Sequence, residues 1–395
     1  MNPITMGKWM SAFRISAVLA AFLVIACSEE VPGWSSEKEY LAAKQLYDDG
    51  DYTGAEAAFA AFVNDYPDSE RADDATYFRG LSLYHLEAYS DARDQFDALT
   101  ASRPESNYAD QALYYGGRCE YKLGAFDAAV SRLSAYVDQY IDGGLYDDAT
   151  YYLGRSLAAL GRTAEALAEF VRILETQGSV YRDSALYWAG RVEYDISRAA
   201  VPVSADDSAA SRAYFESLFA EYPGTAYEDN ARYYYAMCSY VLADWPSAID
   251  ELQYVVDTFP DSIYFDNAWY YKAYTLYKSG DYAAATTELS AFLAQVSGSN
   301  YEDNAVYFSG RTQYQIGYAL SGGTAAYQSA VDFFERVIRD YPDSNYVDNA
   351  FYYEIKALIR MQDCVGATEK LTQFEQLMPS SDYFIKATDY AAVNC

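Results

Sequence analysis

The chain has 395 residues and a formal net charge of −30, from 58 acidic and 28 basic residues. This charge argues against a nucleic-acid backbone as the partner, because binding phosphates needs basic patches. The single histidine, His85, excludes a histidine-based catalytic triad and a multi-histidine metal site within one chain. The 44 tyrosines are unusually many, and so much aromatic surface in an acidic protein indicates a surface that binds a ligand.

The N-terminal residues have the features of an export signal. Lys8 and Arg14 form a positive segment, and the apolar stretch Ile15–Ala26 that follows is too short to span a bilayer as a stable helix. It ends in Val-Ile-Ala-Cys, which resembles a lipobox with Cys27 as the acylated residue. An ordinary signal with a chance cysteine is the alternative.

This resemblance implies the location of the mature protein. Residues 1–26 are the expected signal peptide, Cys27 is the expected lipidation site, and residues 27–36 are a short tether. Ser28 follows the cysteine, and in Gram-negative lipoproteins a residue other than Asp at that place implies export to the outer membrane. We expect a lipid-anchored protein at the periplasmic face of that membrane.

A phrase of thirteen residues recurs in the rest of the chain. Clear copies read YPDSERADDATYF, YPGTAYEDNARYY, FPDSIYFDNAWYY and YPDSNYVDNAFYY, starting at positions 66, 222, 259 and 341. One alanine of the phrase recurs at intervals of 36 or 37 residues, and twice of 45 or 46; we call it the frame alanine. The frame alanines are Ala75, Ala112, Ala149, Ala185, Ala231, Ala268, Ala305, Ala350 and Ala387. A fixed period predicts a repeat protein.

Each repeat reads as a helical hairpin. An Asp two residues before the frame alanine is expected to cap the first helix, and a turn such as Gly280-Asp281 ends it. The second helix ends at a proline such as Pro342. Small residues five after the frame alanine let the two helices approach. The hairpins near 190–215 and 310–333 are longer and are expected to extend the first helix and the turn.

The pattern resembles the tetratricopeptide repeat family. The matching residues in one repeat are Trp269, Ala273, Tyr277, Gly280, Tyr282 and Ala285. The resemblance implies an all-α, right-handed superhelical solenoid over residues 37–395, with about nine hairpins and a C-terminal capping helix near 382–394. It also implies that the first helices line a concave surface.

Three positions on the first helices suggest a binding groove. Tyrosines lie two and nine residues after the frame alanine, arginines lie six after it, and Asn precedes it in several repeats. Tyrosine offers apolar area with a polar tip, and Arg and Asn offer hydrogen bonds to an extended peptide. The alternative is that the tyrosines only pack between helices. The predicted groove residues are Tyr114, Arg118, Tyr121, Tyr187, Arg191, Tyr194, Asn230, Tyr233, Asn267, Tyr270, Asn304, Tyr307, Arg311 and Tyr314.

The remaining candidate sites are fewer. We expect no cofactor and no metal, because the loop acids fit helix caps and match no spaced calcium-binding pattern. Cys364 and Cys395 are predicted to form a disulfide in the oxidising periplasm, since the start of one second helix lies beside the end of the closing helix. Two unpaired thiols are the alternative.

The predicted function rests mainly on the resemblance of the repeats to a protein family. The loops with Tyr-Pro-Asp-Ser and the Asp-x-Ala-x-Tyr phrase resemble the outer-membrane assembly lipoprotein family known as BamD or YfiO. This implies a non-enzymatic scaffold that binds envelope proteins or polypeptide segments. A Tol-Pal coordinator of envelope division and a peptidoglycan-binding protein, whose stacked tyrosines would hold glycans, are the alternatives.

Overall fold

The computed structural model describes residues 32–320 and 323–395, so the predicted signal peptide and Cys27 lie outside the described residues. The described ranges contain nineteen helices and no strand. The helices are α1 (Pro32–Asp48), α2 (Tyr52–Asp65), α3 (Ala72–His85), α4 (Tyr89–Ser102), α5 (Ala109–Lys122), α6 (Phe126–Gln139), α7 (Tyr146–Ala159), α8 (Thr163–Glu175), α9 (Arg182–Ala199), α10 (Ala205–Glu221), α11 (Glu228–Val241), α12 (Trp245–Thr258), α13 (Phe265–Ser279), α14 (Tyr282–Gln295), α15 (Glu302–Ala319), α16 (Thr324–Asp340), α17 (Val347–Arg360), α18 (Cys364–Leu377) and α19 (Asp382–Asn394). The predicted all-α fold of nine hairpins and a closing helix is confirmed.

The chain divides into two compact units between Tyr181 and Arg182. Helices α1–α8 form four hairpins in unit 1, and α9–α18 form five hairpins in unit 2, which α19 completes. Odd-numbered helices up to α17 are the first helices of their hairpins. Helix α1 begins at Pro32, so part of the predicted tether is helical. No helix in the described ranges has both the length and the apolar character that crossing a bilayer requires.

The two helices of a hairpin meet where the first helix has a small residue. An added Cβ at Gly310 would lie 2.7 Å from the ring of Phe334, and the same close approach occurs at Gly80, Gly154 and Gly190. The equivalent pair in another hairpin is Ala273 with Leu289, both fully buried. A small residue on the first helix therefore leaves room for the ring or leucine side chain of the second helix, as at Gly117 and Leu133, and as close packing requires.

The Asp two residues before the frame alanine does not cap the first helix. The capping positions of α5, α11, α13, α15 and α17 are tyrosines without a side-chain capping bond. The Asp lies inside the first turn, where its charge favours the helix N-terminus. In three repeats its carboxylate accepts a hydrogen bond from the serine of the following loop, at 2.7–3.0 Å. These pairs are Ser106–Asp73, Ser262–Asp229 and Ser381–Asp348. The prediction of an N-cap was therefore wrong, and the residue links successive hairpins instead.

The two longer hairpins gain length in both helices. Helices α9 and α15 have 18 residues and α10 and α16 have 17, whereas most other helices have 14. In the α9–α10 hairpin, the buried hydroxyl of Ser197 donates to the carbonyl of Ser204 and lies 2.6 Å from the hydroxyl of Ser208. The extension thus involves the second helix as well as the predicted first helix and turn.

A disulfide joins the closing helix to the last hairpin. Cys364 begins α18 and Cys395 follows α19, and their Cα atoms are 5.6 Å apart in the bonded pair. The other cysteines of the described ranges, Cys119 and Cys238, are buried and free. The bond closes the α18–α19 antiparallel pair at its outer end.

The disulfide can be tested directly. We expect mass mapping of unreduced protein to recover one peptide pair containing Cys364 and Cys395. In the double variant Cys364→Ser/Cys395→Ser the free energy of unfolding should fall by about 4 kcal/mol, as the chain-entropy relation gives for a loop of this size. Alkylation of both cysteines after denaturation without reductant would show that the bond does not form.

The packing rule gives a second prediction. Gly310→Ala should lower the urea midpoint, because the new methyl group meets a ring that cannot withdraw from a full core. Phe334→Leu in the same chain should restore part of the loss, with a coupling energy of about 1–3 kcal/mol in a double-mutant cycle. Strictly additive effects of the two substitutions would contradict the rule.

Candidate partner-binding face

First helices lie side by side within each unit. Helix α1 contacts α3, and α5 contacts α7; in unit 2, α9 contacts α11, α13 contacts α15 and α15 contacts α17. Each first helix therefore has one side against second helices and another toward the neighbouring first helices. The residues on this second side form the surface on which the predicted groove depends.

The tyrosines two residues after the frame alanine are core residues. Tyr114 has no exposed surface, and Tyr187, Tyr233, Tyr270 and Tyr307 are at most 7% exposed. Tyr314, nine residues after its frame alanine, is also buried. The interpretation of these six rings as open groove surfaces was wrong. Tyr121 and Tyr194 are half-buried, as are Asn230, Asn267 and Asn304.

Four of these buried rings, Tyr187, Tyr233, Tyr270 and Tyr307, are covered by a second set of tyrosines in the loops between hairpins. In six repeats, the tyrosine before or at the start of the next first helix stacks on the buried ring, with centroids 4.4–4.7 Å apart and planes within 18°. The stacked pairs are Tyr77–Tyr108, Tyr151–Tyr181, Tyr187–Tyr227, Tyr233–Tyr264, Tyr270–Tyr301 and Tyr307–Tyr346. Each stack connects one hairpin to the next.

Polar side chains before the frame alanine bind the hydroxyls of these rings. Asp148 accepts hydrogen bonds from Tyr114 at 3.2 Å and from Tyr181 at 2.6 Å. The amide of Asn267 donates to the hydroxyl of Tyr301 at 3.0 Å. Burial raises the pKa of Tyr301 to about 12, so this hydroxyl stays neutral and available as a hydrogen-bonding group at physiological pH. The carboxamide of Asn267 therefore has a structural role, and its role in binding stays a prediction.

The predicted arginines lie over aromatic rings of the following hairpin. The Arg118 guanidinium is 4.5 Å from the ring centre of Tyr152 and donates to its hydroxyl. Arg311 lies 3.8 Å from the ring of Tyr353 and also donates to the hydroxyl of Tyr307. Arg191 lies 4.4 Å from Tyr234 and is ion-paired with Asp195. These cation–π contacts hold the guanidinium groups at the surface between neighbouring first helices.

The rings under the arginines were missed by sequence reasoning. They lie three residues after the frame alanine, directly after the tyrosine that the sequence predicts as a groove residue. The signal was present, because eight repeats have an aromatic residue there: Phe78, Tyr115, Tyr152, Trp188, Tyr234, Tyr271, Phe308 and Tyr353.

On each first helix these positions define one face, which we call the first-helix strip. It consists of the residues one before and three, six, ten and, in the longer helices, thirteen after the frame alanine, spacings that place them on one side of a helix. In α15 the strip is Asn304, Phe308, Arg311, Gln315 and Tyr318. Most strip residues are half-buried or exposed, whereas Leu81, Tyr234, Met237 and Phe308 are buried. Arg311 and the asparagines of the prediction belong to this strip.

Three buried strip atoms have unused hydrogen-bonding capacity, and one of them is the Nε atom of Arg118, which donates no hydrogen bond to the described residues. The Oδ1 atom of Asn230 accepts no hydrogen bond, and the Nε atom of Arg311 donates none, from the described residues. The described ranges contain no group of three or more His, Cys, Asp or Glu side chains arranged to hold a metal ion. The strip thus offers carboxamide and guanidinium groups between aromatic rings.

Two protein-family models match parts of the chain. The family described as YfiO, outer membrane lipoprotein, matches residues 228–352. The predicted resemblance to that family is therefore confirmed over α11–α16 and the start of α17. The family described as T7SS, ESX-1 secretion system protein EccA1, N-terminal domain, matches residues 38–187. No curated protein matches the chain.

Several solved structures resemble the chain at low identity. A tetratricopeptide repeat protein from Parabacteroides merdae is 16% identical, with 70% of this chain and 98% of that chain covered and a TM-score of 0.45. PilF from Pseudomonas aeruginosa is 15% identical, with 59% and 95% covered and a TM-score of 0.45. The apo form of RapI is 12% identical, with 91% and 98% covered and a TM-score of 0.47.

The stacking analysis yields a prediction for Tyr301. Tyr301→Ala removes the ring from Tyr270 and should destabilise unit 2 by about 2–3 kcal/mol, whereas Tyr301→Phe keeps the stack and should cost about 1 kcal/mol for the lost bond to Asn267. Tyr318, which is 65% exposed, provides the control, and Tyr318→Ala should change the urea midpoint little. Equal effects of Tyr301→Ala and Tyr318→Ala would contradict a structural role for the stack.

Proposed function

We propose that this protein is a non-enzymatic scaffold, lipid-anchored at the periplasmic face of the outer membrane, that binds polypeptide segments on the first-helix strip. The observation that carries the proposal is the strip itself, in which aromatic rings alternate with amide and guanidinium groups. The unused capacity at Asn230 and Arg311 supports a ligand that supplies both donors and acceptors. A polypeptide backbone is such a ligand.

The cellular setting rests on two other observations. The match of residues 228–352 to an outer membrane lipoprotein family and the lipobox at Cys27 favour the outer membrane, and the resemblance favours a role in outer-membrane protein assembly. The partners are then envelope proteins or their unfolded segments. Because the strip repeats along α11, α13, α15 and α17 of unit 2, an extended segment would have equivalent contacts in successive hairpins.

Site-specific photocrosslinking tests the binding face. A benzophenone side chain at Gln315, on the strip of α15, should crosslink to envelope proteins in intact cells. The same side chain at Gln328, exposed on the second helix α16, should give few or no adducts. Both positions are glutamines in the same hairpin, so the two variants differ only in the face that carries the crosslinker. Equal adducts at both positions, or adducts only at Gln328, would place the partner elsewhere.

Lipidation is tested separately. Cells fed labelled palmitate should label the wild-type protein, and Cys27→Ser should remain unlabelled and unprocessed or soluble, because that residue carries the proposed acyl groups. Label in the Cys27→Ser protein would overturn the anchor without affecting the binding face.

A further inference from the structure

The distribution of charge pairing in unit 2 is uneven. Its cations outside the strip, such as Arg212, Arg232 and Lys370, lie within 4.0 Å of a carboxylate. Six cations among the described residues of this unit have no carboxylate within that distance. They are Arg198, Lys278, Arg311, Lys356, Arg360 and Lys386.

Five of the six occupy strip positions, and the sixth, Lys386, has the equivalent position in the closing helix α19. Arg198, Lys278, Arg311, Lys356 and Arg360 lie six, ten or thirteen residues after a frame alanine, and Lys386 directly precedes Ala387 in α19. The carboxylate on the strip of this unit is Asp195, which pairs with Arg191. In a chain with a net charge of −30, this face is therefore basic.

The cations are densest between α15 and α17. Arg311 and Lys356 lie over the same ring, with 3.8 Å and 5.4 Å to the centre of Tyr353. Lys356 is also 5.8 Å from the ring of Tyr314, whose hydroxyl interacts with the guanidinium of Arg360. Two shared tyrosines thus hold three like charges together, and no carboxylate of the described residues neutralises them.

From this arrangement we infer that the Arg311–Lys356–Arg360 cluster binds an acidic polypeptide segment through its Asp and Glu carboxylates. The inference rests on the proposed function and specifies the chemistry of the partner. Unpaired guanidinium and ammonium groups form charge-assisted hydrogen bonds with carboxylates, and the rings beside them accept the apolar part of the segment.

The overall negative charge does not prevent this contact. At physiological ionic strength the Debye length is about 8 Å, so the acids on distant surfaces are screened while the cations within the cluster act at contact distance. The rest of the surface is acidic, and it repels an acidic segment. Acidic segments should therefore bind at this cluster and not along the second helices.

Fluorescence anisotropy with a labelled peptide tests the inference at physiological salt. The probe is a short peptide that alternates Asp and Ala and has blocked termini, and its counterpart replaces every Asp by Asn. The mature chain should bind the Asp peptide and not the Asn peptide. Lys356→Gln/Arg360→Gln should weaken binding about tenfold or more, because two charge-assisted contacts are lost.

The matched control is Arg336→Gln/Arg339→Gln, which makes the same change in net charge on α16, outside the strip. Its affinity should stay within about twofold of wild type, since distant exposed charges contribute little. Lys356→Arg/Arg360→Lys keeps both charges and should retain binding, which separates a binding defect from misfolding. Equal losses in the cluster and control variants would overturn the inference.

Two further outcomes separate the hypotheses. If the Gln315 crosslinker captures proteins but the Asp peptide does not bind, the acidic-segment inference fails and the proposed scaffold function stands. If neither occurs, both fail. Binding of phosphatidylglycerol vesicles through the same cations, without binding of the Asp peptide, would overturn the inference in favour of a lipid surface.

Discussion

The structure depends on the stacking of a loop tyrosine on a tyrosine of the preceding first helix. One partner lies two residues after the frame alanine and the other lies at the entry to the next first helix, so within each unit the stack sets how that helix is placed. The serine-to-aspartate bond of the same loop acts at the same junction, as in Ser262–Asp229 beside Tyr233–Tyr264. The recurring Pro-Asp-Ser-x-Tyr-x-Asp-x-Ala phrase is thus a connector between hairpins, which explains most of its invariant letters and many of the tyrosines.

The side chains proposed to bind partners are those that the stacked tyrosine pairs leave uncovered on the first helices. Where the ring two after the frame alanine is buried, the neighbouring ring three after it lies toward the adjacent first helix, and in several hairpins a cation lies over it. Arg118 over Tyr152 and Arg311 over Tyr353 repeat this arrangement in the two units. The side chains that stabilise the array and those proposed to bind partners are therefore adjacent on the same helices, and substitutions at either set must be separated by a measure of stability.

The sequence predicted the elements well because their signals are local. The frame alanine and its spacing gave nine hairpins, the closing helix has the bounds expected from its pattern, and antiparallel neighbours place Cys364 beside Cys395. The open face was predicted less well. Tyr307 and Phe308 are adjacent and lie about 100° apart around the helix. Tyr346, almost forty residues later, stacks on the ring of Tyr307 and meets the ring of Phe308 edge-on, which the local sequence does not reveal. The hydrogen bond of Asp229 was not predicted for the same reason, because its donor Ser262 lies far along the sequence, in the next loop.

Hydrogen exchange measured by mass spectrometry on Tyr264→Ala tests the connector most directly. Tyr264 joins the hairpins of α11–α12 and α13–α14 through its stack on Tyr233. If the stack is the connector, exchange should accelerate in α11 and α13, while α17–α19 of the same unit keep their protection. Unchanged exchange in α11 and α13, or uniform loss of protection throughout unit 2, would contradict the account.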